Sequence, residues 1–293
     1  MKRFLSIAGI ALLVAACSNE SVNEVINDAL VPVKVHVSGF SVSQEEISPT
    51  RATEAIADYS GIKAVTLAFY NGSTEVLKTT QLRDDVSTYT TFGDFDCSLP
   101  MGSYTMVVIA RGYSEGDVFT LTSPTEAAYT GDRARETFSA TQAVNISNTD
   151  AVDISTTLNR VIAKLQVIST DNKTANASSV RTTFAAGSKA FNPTTGLATT
   201  NTGFVNTVSI SAAEGKTSST TSYLFLSSDE QTMDVTIDVL DVDGAVLFTK
   251  TVQNVPFKRN RLTKLTGSMY TNNSVSTSFQ VDTAWLTDIN VPF

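Results

Sequence analysis

A single histidine, His36, serves all 293 residues, with one tryptophan, Trp285, and two cysteines, Cys17 and Cys97. A Ser-His-Asp or Cys-His arrangement would have to use His36, and so would any histidine-containing metal site. No glycine-rich phosphate loop is present, and no motif calls for a cofactor. Carboxylates pair at Glu45-Glu46 and Asp84-Asp85, but neighbours on a strand face opposite ways and cannot jointly serve one glycosidic bond. Asp241-Val242-Asp243-Gly244 opens like a calcium loop yet lacks the later ligands and the closing glutamate. It reads more simply as a hairpin turn. Positive charge is scarce, with 21 Lys and Arg against 29 Asp and Glu for a net charge of -8, which disfavours a nucleic-acid partner. The one basic cluster, Lys258, Arg259, Arg261 and Lys264, reads as a turn into the next strand. A role without catalysis is the expectation.

Long apolar runs are also missing, with one short exception at the start. Lys2 and Arg3 precede an apolar stretch from Phe4 to Val14, too short for the ~20 residues of a membrane-spanning helix. It ends in small residues, as a cleavable export signal does. Val14-Ala15-Ala16-Cys17 resembles a bacterial lipobox, in which the Cys17 thiol would be acylated and residues 1–16 removed. Acyl chains contribute about 0.8 kcal/mol per buried methylene, so two or three hold a chain firmly on a membrane. Cys97 is then the one free thiol, most simply a small buried apolar residue.

Beyond the signal the chain is rich in Thr, Ser and Val and poor in helical periodicity, which reads as all-β. Ile62–Tyr70 is a predicted strand, turned by Asn71-Gly72 into Thr74–Gln81. Tyr104–Ala110 is apolar enough for a central strand. Met233, Val235, Ile237 and Val239 alternate with polar neighbours, and Asp243-Gly244 turns the chain into Ala245–Val252. Leu158–Ser169 reads as a strong β segment, and residues 170–203 as mostly loop. The expected architecture is two tandem β-sandwiches of transthyretin or Greek-key type, at 52–155 and 156–293, after a signal peptide at 1–16 and a lipidated segment at 17–51.

Both ends carry alternating patterns. Val31, Val33, Val35 and Val37 interleave with Pro32, Lys34, His36 and Ser38, and the polar stretch Gln44–Ser60 follows, with Arg51 in Pro49-Thr50-Arg51-Ala52. At the other end Val275, Phe279, Val281, Trp285, Ile289, Val291 and Phe293 share one face of a period-two run. Such a run suits a strand that bends between sheets, or one that leaves its own subunit. The first strand fits an ordinary sheet followed by a surface loop. It also fits a strand that can be cut away without disturbing the others, leaving a groove for another chain's strand.

The chain resembles the type V fimbrillins of the Bacteroidales, a family of stalk, anchor and tip-associated pilus subunits. The resemblance is carried by the lipobox at Cys17, the valine strand before Thr50-Arg51-Ala52, and the Lys63–Gly72 strand and turn. Leu158-Asn159-Arg160-Val161-Ile162-Ala163-Lys164-Leu165, Arg259-Asn260 and the terminal run with Trp285 complete it. The resemblance implies export as a lipoprotein to the outer membrane surface, then cleavage by an arginine-specific protease between Arg51 and Ala52. It implies a mature subunit of residues 52–293 whose groove accepts a neighbour's C-terminal strand, here Val275–Phe293, giving a filament that supports adhesion. Arg83, Arg111, Arg133 and Arg135 are rival cut sites. The partners implied are other fimbrial subunits, the outer membrane before processing, and surface ligands of host or bacterial cells. Two alternatives stay open: an anchor subunit that keeps its lipid and first strand, and a surface lipoprotein binding glycans or proteins through loops, for which Tyr113, Phe119 and Tyr129 are candidates.

Overall fold

The computed structural model describes residues 29–42, 52–116, 118–131, 133–271 and 280–282. Among these every regular element is a strand. Ten form the first unit with its bridging hairpin: β1 (Val31–Val42), β2 (Ala52–Glu54), β3 (Ala64–Asn71), β4 (Thr74–Leu82), β5 (Asp94–Leu99), β6 (Gly102–Arg111), β7 (Phe119–Ser123), β8 (Glu126–Tyr129), β9 (Thr137–Ile146) and β10 (Val152–Arg160). The remainder are β11 (Ala163–Ser169), β12 (Ser179–Phe184), β13 (Ala190–Phe191), β14 (Phe204–Ser209), β15 (Ser219–Leu224), β16 (Glu230–Leu240), β17 (Val246–Lys258), β18 (Leu262–Gly267) and β19 (Gln280–Asp282).

The first sheet runs β2-β1-β10-β9-β6-β3-β4, with β5 also paired to β1. Strands β9 and β10 share only the pairs Asn159↔Ser139 and Arg160↔Phe138, so the sheet turns a corner there and its two halves face each other. Val31, Val33, Val35, Val37 and Phe40 from one half meet Val65, Leu67, Phe69, Met106 and Val108 from the other in one core. The apolar run of β3 is buried on both faces because the back of its sheet is covered too. Ala68, Tyr70, Val107 and Ile109 point backward into a bridging cluster with Leu121, Tyr129, Ile162, Phe191 and Phe225, in which the rings of Phe191 and Phe225 stack at 4.2 Å. The small sheet β13-β8-β7 lies at this junction.

The second unit is a sandwich of β15-β11-β18-β19 on β14-β12-β16-β17. Leu165, Val167, Leu224 and Leu265 meet Val180, Phe184, Val235, Ile237 and Val239 in its core. The hairpins expected at Asn71-Gly72 and Asp243-Gly244 are β3–β4 and β16–β17, each turning on a glycine with positive φ, +60 at Gly72 and +82 at Gly244. The expected central strand Tyr104–Ala110 is β6, flanked by β3 and β9.

Two sequence expectations change. The segment Leu158–Ser169 is not one strand. β10 ends at Arg160 and β11 begins at Ala163 in another sheet, because Val161 and Ile162 are spent on the bridging cluster. The division expected at 155/156 therefore falls inside β10, which pairs with β1 along most of its length. The stretch 170–203 is mostly loop, as expected, but it also holds β12, an inner strand between β14 and β16. Val180, Thr182 and Phe184 alternate inward there, a short pattern masked by its Ser- and Thr-rich surroundings.

Candidate functional site

The seat of β1 is the most distinctive site of the molecule. Along one edge β1 runs parallel to β10, from Val33↔Val152 to Ser41↔Asn159. Along the other it runs antiparallel to β5, from Val31↔Leu99 to His36↔Asp94, and then to β2 at Phe40↔Glu54 through Val42↔Ala52. Val31, Val33, Val35, Val37 and Phe40 are each at most 1% exposed. Burying five such side chains contributes roughly 8–15 kcal/mol before ordering costs, an upper bound for an extended reference chain. Val37 and Phe40 are three positions apart, an odd spacing, yet both face the core, because the register shifts between Val37 and Gly39. This bulge places Ser38 Oγ to donate to the Thr156 carbonyl at 3.0 Å, and 3.1 Å from Thr157 Oγ1.

The outward face of β1 is charged. Lys34 stands opposite Asp96 on β5 and Asp153 on β10, and His36 opposite Asp94 and Ser155. Cross-strand partners project to the same side, and all six line one shallow surface hollow. The His36 ring pairs with the Asp94 carboxylate. On the inner side Cys97 Sγ lies 3.5 Å from the Val33 carbonyl, and burial, with Asp96 nearby, pushes its thiol pKa up.

One sequence expectation about this strand needs correcting. Loss of β1 would disturb other strands, since among the described residues β2 and β5 have ladder partners in β1 alone. An empty seat would expose unpaired strand edges on both sides along with its apolar floor.

The remaining candidates scatter. Cys17, Arg51, Val275, Phe279, Trp285, Ile289, Val291 and Phe293 lie outside the described residues. Ala52 opens β2 and pairs with Val42. Val281 sits in β19, opposite Leu265 of β18, at the edge of its sheet. Of the rival arginines, Arg83 is held by the carbonyls of Ile62 and Ile56 at 2.6 and 2.7 Å and lies over the Phe92 ring. Arg111 is buried in β6. Arg133 and Arg135 are half-buried before β9. Tyr129 is buried in the bridging cluster and Phe119 packs against it, while Tyr113 is half-buried beside the Arg111 guanidinium; these aromatics pack rather than present a binding face. In the turn at Asp241, its carboxylate accepts from the amides of Asp243 and Ala245 at 3.0 and 2.8 Å.

The basic cluster is a structural corner that sequence reasoning under-read. Lys258 pairs with Glu230 at 2.8 Å and Arg259 with Asp229 at 2.6 Å. Asn260, at φ 59, accepts from Arg160. Arg160 also meets Glu136 at 2.9 Å with a side chain only 1% exposed. Tyr59 donates to the same carboxylate at 2.8 Å, and burial, then Glu136, raise its phenol pKa. The Tyr59 ring packs on Phe40 of β1 and on Phe138.

A model of a family of unknown function, DUF6562, matches residues 31–292, from the first residue of β1 to the last residue but one of the chain. The chain belongs to the DUF6562 family. Among solved structures, a candidate adhesin of Bacteroides ovatus shares the fold of this DUF6562 member over 86% of this chain and 96% of its own, with 9% identity and a TM-score of 0.50. The fimbrial anchor protein Mfa2 of Porphyromonas gingivalis covers 86% of this chain and 95% of its own at 10% identity and a TM-score of 0.46. The tip fimbrial protein Mfa3 of the same organism, with a C-terminal truncation, covers 87% and 99% at 10% identity and 0.40. No curated protein sequence matches.

Proposed function

We propose that this DUF6562 chain is a structural subunit of a cell-surface fimbrium that supports adhesion and is assembled by strand exchange. It is exported as a lipoprotein acylated at Cys17, reaches the outer membrane, and is cut between Arg51 and Ala52. A neighbour's terminal strand then takes the place of β1.

The observation that carries this reading is the position of β1. It is an inner strand with five buried apolar side chains, yet in sequence only residues 43–51, including Arg51, join it to β2. Because β2 and β5 rely on β1, replacement runs as a displacement, with the new strand pairing as the old one peels away. A head-to-tail contact of this kind does not close on itself and so builds a filament. The edge position of β19 is compatible with a tail that leaves its own subunit.

The test is the mature N-terminus of the protein recovered from cells. A start at Ala52, and loss of polymers with accumulation of an acylated precursor in Arg51→Ala, supports the reading. Polymers that retain an acylated Cys17 at every subunit overturn it.

A second reading, a lipid-retained surface protein that binds glycans, is favoured by one feature. A polar cleft of about 650 Å³ opens between the units, lined by Ser139, Thr141, Thr157, Asn159, Thr194 and Lys258 among others. Glycan-array binding by a lipidated monomer would favour it over the fimbrial subunit.

A further inference from the structure

The outward face of the β1 seat carries a charge pattern that the chain's own tail does not match. Across β1 the rim presents Asp94 and Asp96 from β5 and Asp153 from β10, and β1 answers with Lys34 and His36 in register. The apolar floor accepts any strand with alternating aliphatic side chains, so it discriminates little. The rim does discriminate. Like charges directly opposite on neighbouring strands are unfavourable, and opposite charges favourable. Charges at the edge of a contact act mostly on partner choice and on the rate of encounter.

The terminal run Val275–Phe293 has no Lys, Arg or His. With its apolar odd positions on the floor, the outward positions hold Ser276, Ser278, Gln280, Asp282, Ala284, Leu286, Asp288, Asn290 and Pro292. No register places a cation at the site of Lys34 or a basic side chain at that of His36, and several place Asp282 or Asp288 against the aspartates of the rim. A copy of this chain is thus a poor donor to its own seat.

We infer that the seat selects a donor strand from a different subunit, one carrying two basic side chains at alternate outward positions, so that this chain joins a mixed filament rather than a homopolymer. The inference rests on the strand-exchange reading above and specifies the partner that reading leaves open.

The test uses the full chain with a specific protease sequence replacing residues 44–50, cut so that β1 stays seated. Labelled synthetic peptides are then followed as they displace it. A peptide of residues 29–42 should exchange in. The same peptide with Lys34→Glu and His36→Glu should bind about tenfold more weakly or more slowly, and a 275–293 peptide should also fall behind. High salt should shrink the gap, and Asp94→Asn, Asp96→Asn and Asp153→Asn together should abolish it. Equal exchange of the first two peptides overturns charge selection while leaving strand exchange standing. If no peptide enters, strand exchange itself fails. The rim is then read in the uncut chain, where Lys34→Glu with His36→Glu should lower the urea midpoint and Asp94→Lys with Asp96→Lys should restore it. Absence of that rescue overturns the charge pairing as well.

Discussion

The Arg160 guanidinium donates to Asn260 Oδ1 at 3.0 Å across 100 residues of sequence. The bond joins the last residue of β10 to the turn between β17 and β18, and so ties the first unit to the second. The Asn260 amide donates to the Ile162 carbonyl at 3.0 Å, and the Lys164 amide to the Arg261 carbonyl at 3.0 Å, so backbone bonds reinforce the same joint. Phe40, Tyr59 and Arg160 form a continuous path from β1 to this turn.

Removing the guanidinium should therefore loosen the joint. Arg160→Met leaves the Glu136 carboxylate, 13% exposed, without its cation. Breaking a buried pair from one side costs about 3–5 kcal/mol. Asn260→Ala removes a bond to a charged donor and also strains a left-handed residue, which together cost about 2–4 kcal/mol. Urea unfolding followed by tyrosine fluorescence checks both. Midpoints unchanged in both variants would show that the joint does not depend on this contact.

Truncation at residue 274 should leave a folded chain. The ladder lost among the described residues is the β18–β19 pairing of three residues, while the strands that build the core of the second sandwich are β11, β12, β15, β16, β17 and β18. Circular dichroism should stay β-type while polymers disappear from cells. Filaments of wild-type length from the truncated chain would remove the tail from assembly.

Cys97 should report whether β1 is seated. Its thiol pKa is raised by burial and by Asp96, so little thiolate forms near neutral pH and maleimide labelling of a Cys17→Ser chain should be slow. The rate should climb only as pH rises above the usual thiol range of about 8–9. Cutting the 43–51 segment and stripping β1 away, so that its seat stands empty, lifts the burial penalty on Cys97 and moves the profile to lower pH. Neutral-pH labelling should then speed up, because a thiol pKa that falls back toward its ordinary value leaves more thiolate. A peptide of residues 29–42 should restore protection. Identical labelling before and after β1 is stripped away would show that β5 does not depend on β1 for its cover.

Two glycines with the same φ should respond differently to alanine. Gly203 and Gly215 both sit at +73, but a Cβ at Gly203 would lie 2.2 Å from the Phe184 carbonyl oxygen, while Gly215 has open space. Gly215→Ala should cost about 1–2 kcal/mol for the left-handed backbone alone. Gly203→Ala must also move β12 or its neighbour, so the soluble yield and thermal midpoint should drop well below those of Gly215→Ala. Equal effects would show that the chain beside Phe184 yields easily.

The all-β class, the paired hairpins and the buried strands β1, β3 and β6 were legible because period-two alternation, continuous apolar runs and Asn-Gly or Asp-Gly turns are local signals. The buried set Val31, Val33, Val35 and Val37 could be read off β1 directly. The corner at Val161-Ile162, the inner role of β12, the bulge that turns Phe40 inward and the aspartates facing Lys34 and His36 could not. Each depends on which strands become neighbours, and pairing between residues roughly 60 or 120 apart leaves no trace in the spacing of either segment. Side-chain chemistry determined what each strand can bury; only the assembled sheets decided what each strand is buried against, because a strand's edge hydrogen bonds accept any partner that tertiary packing brings alongside.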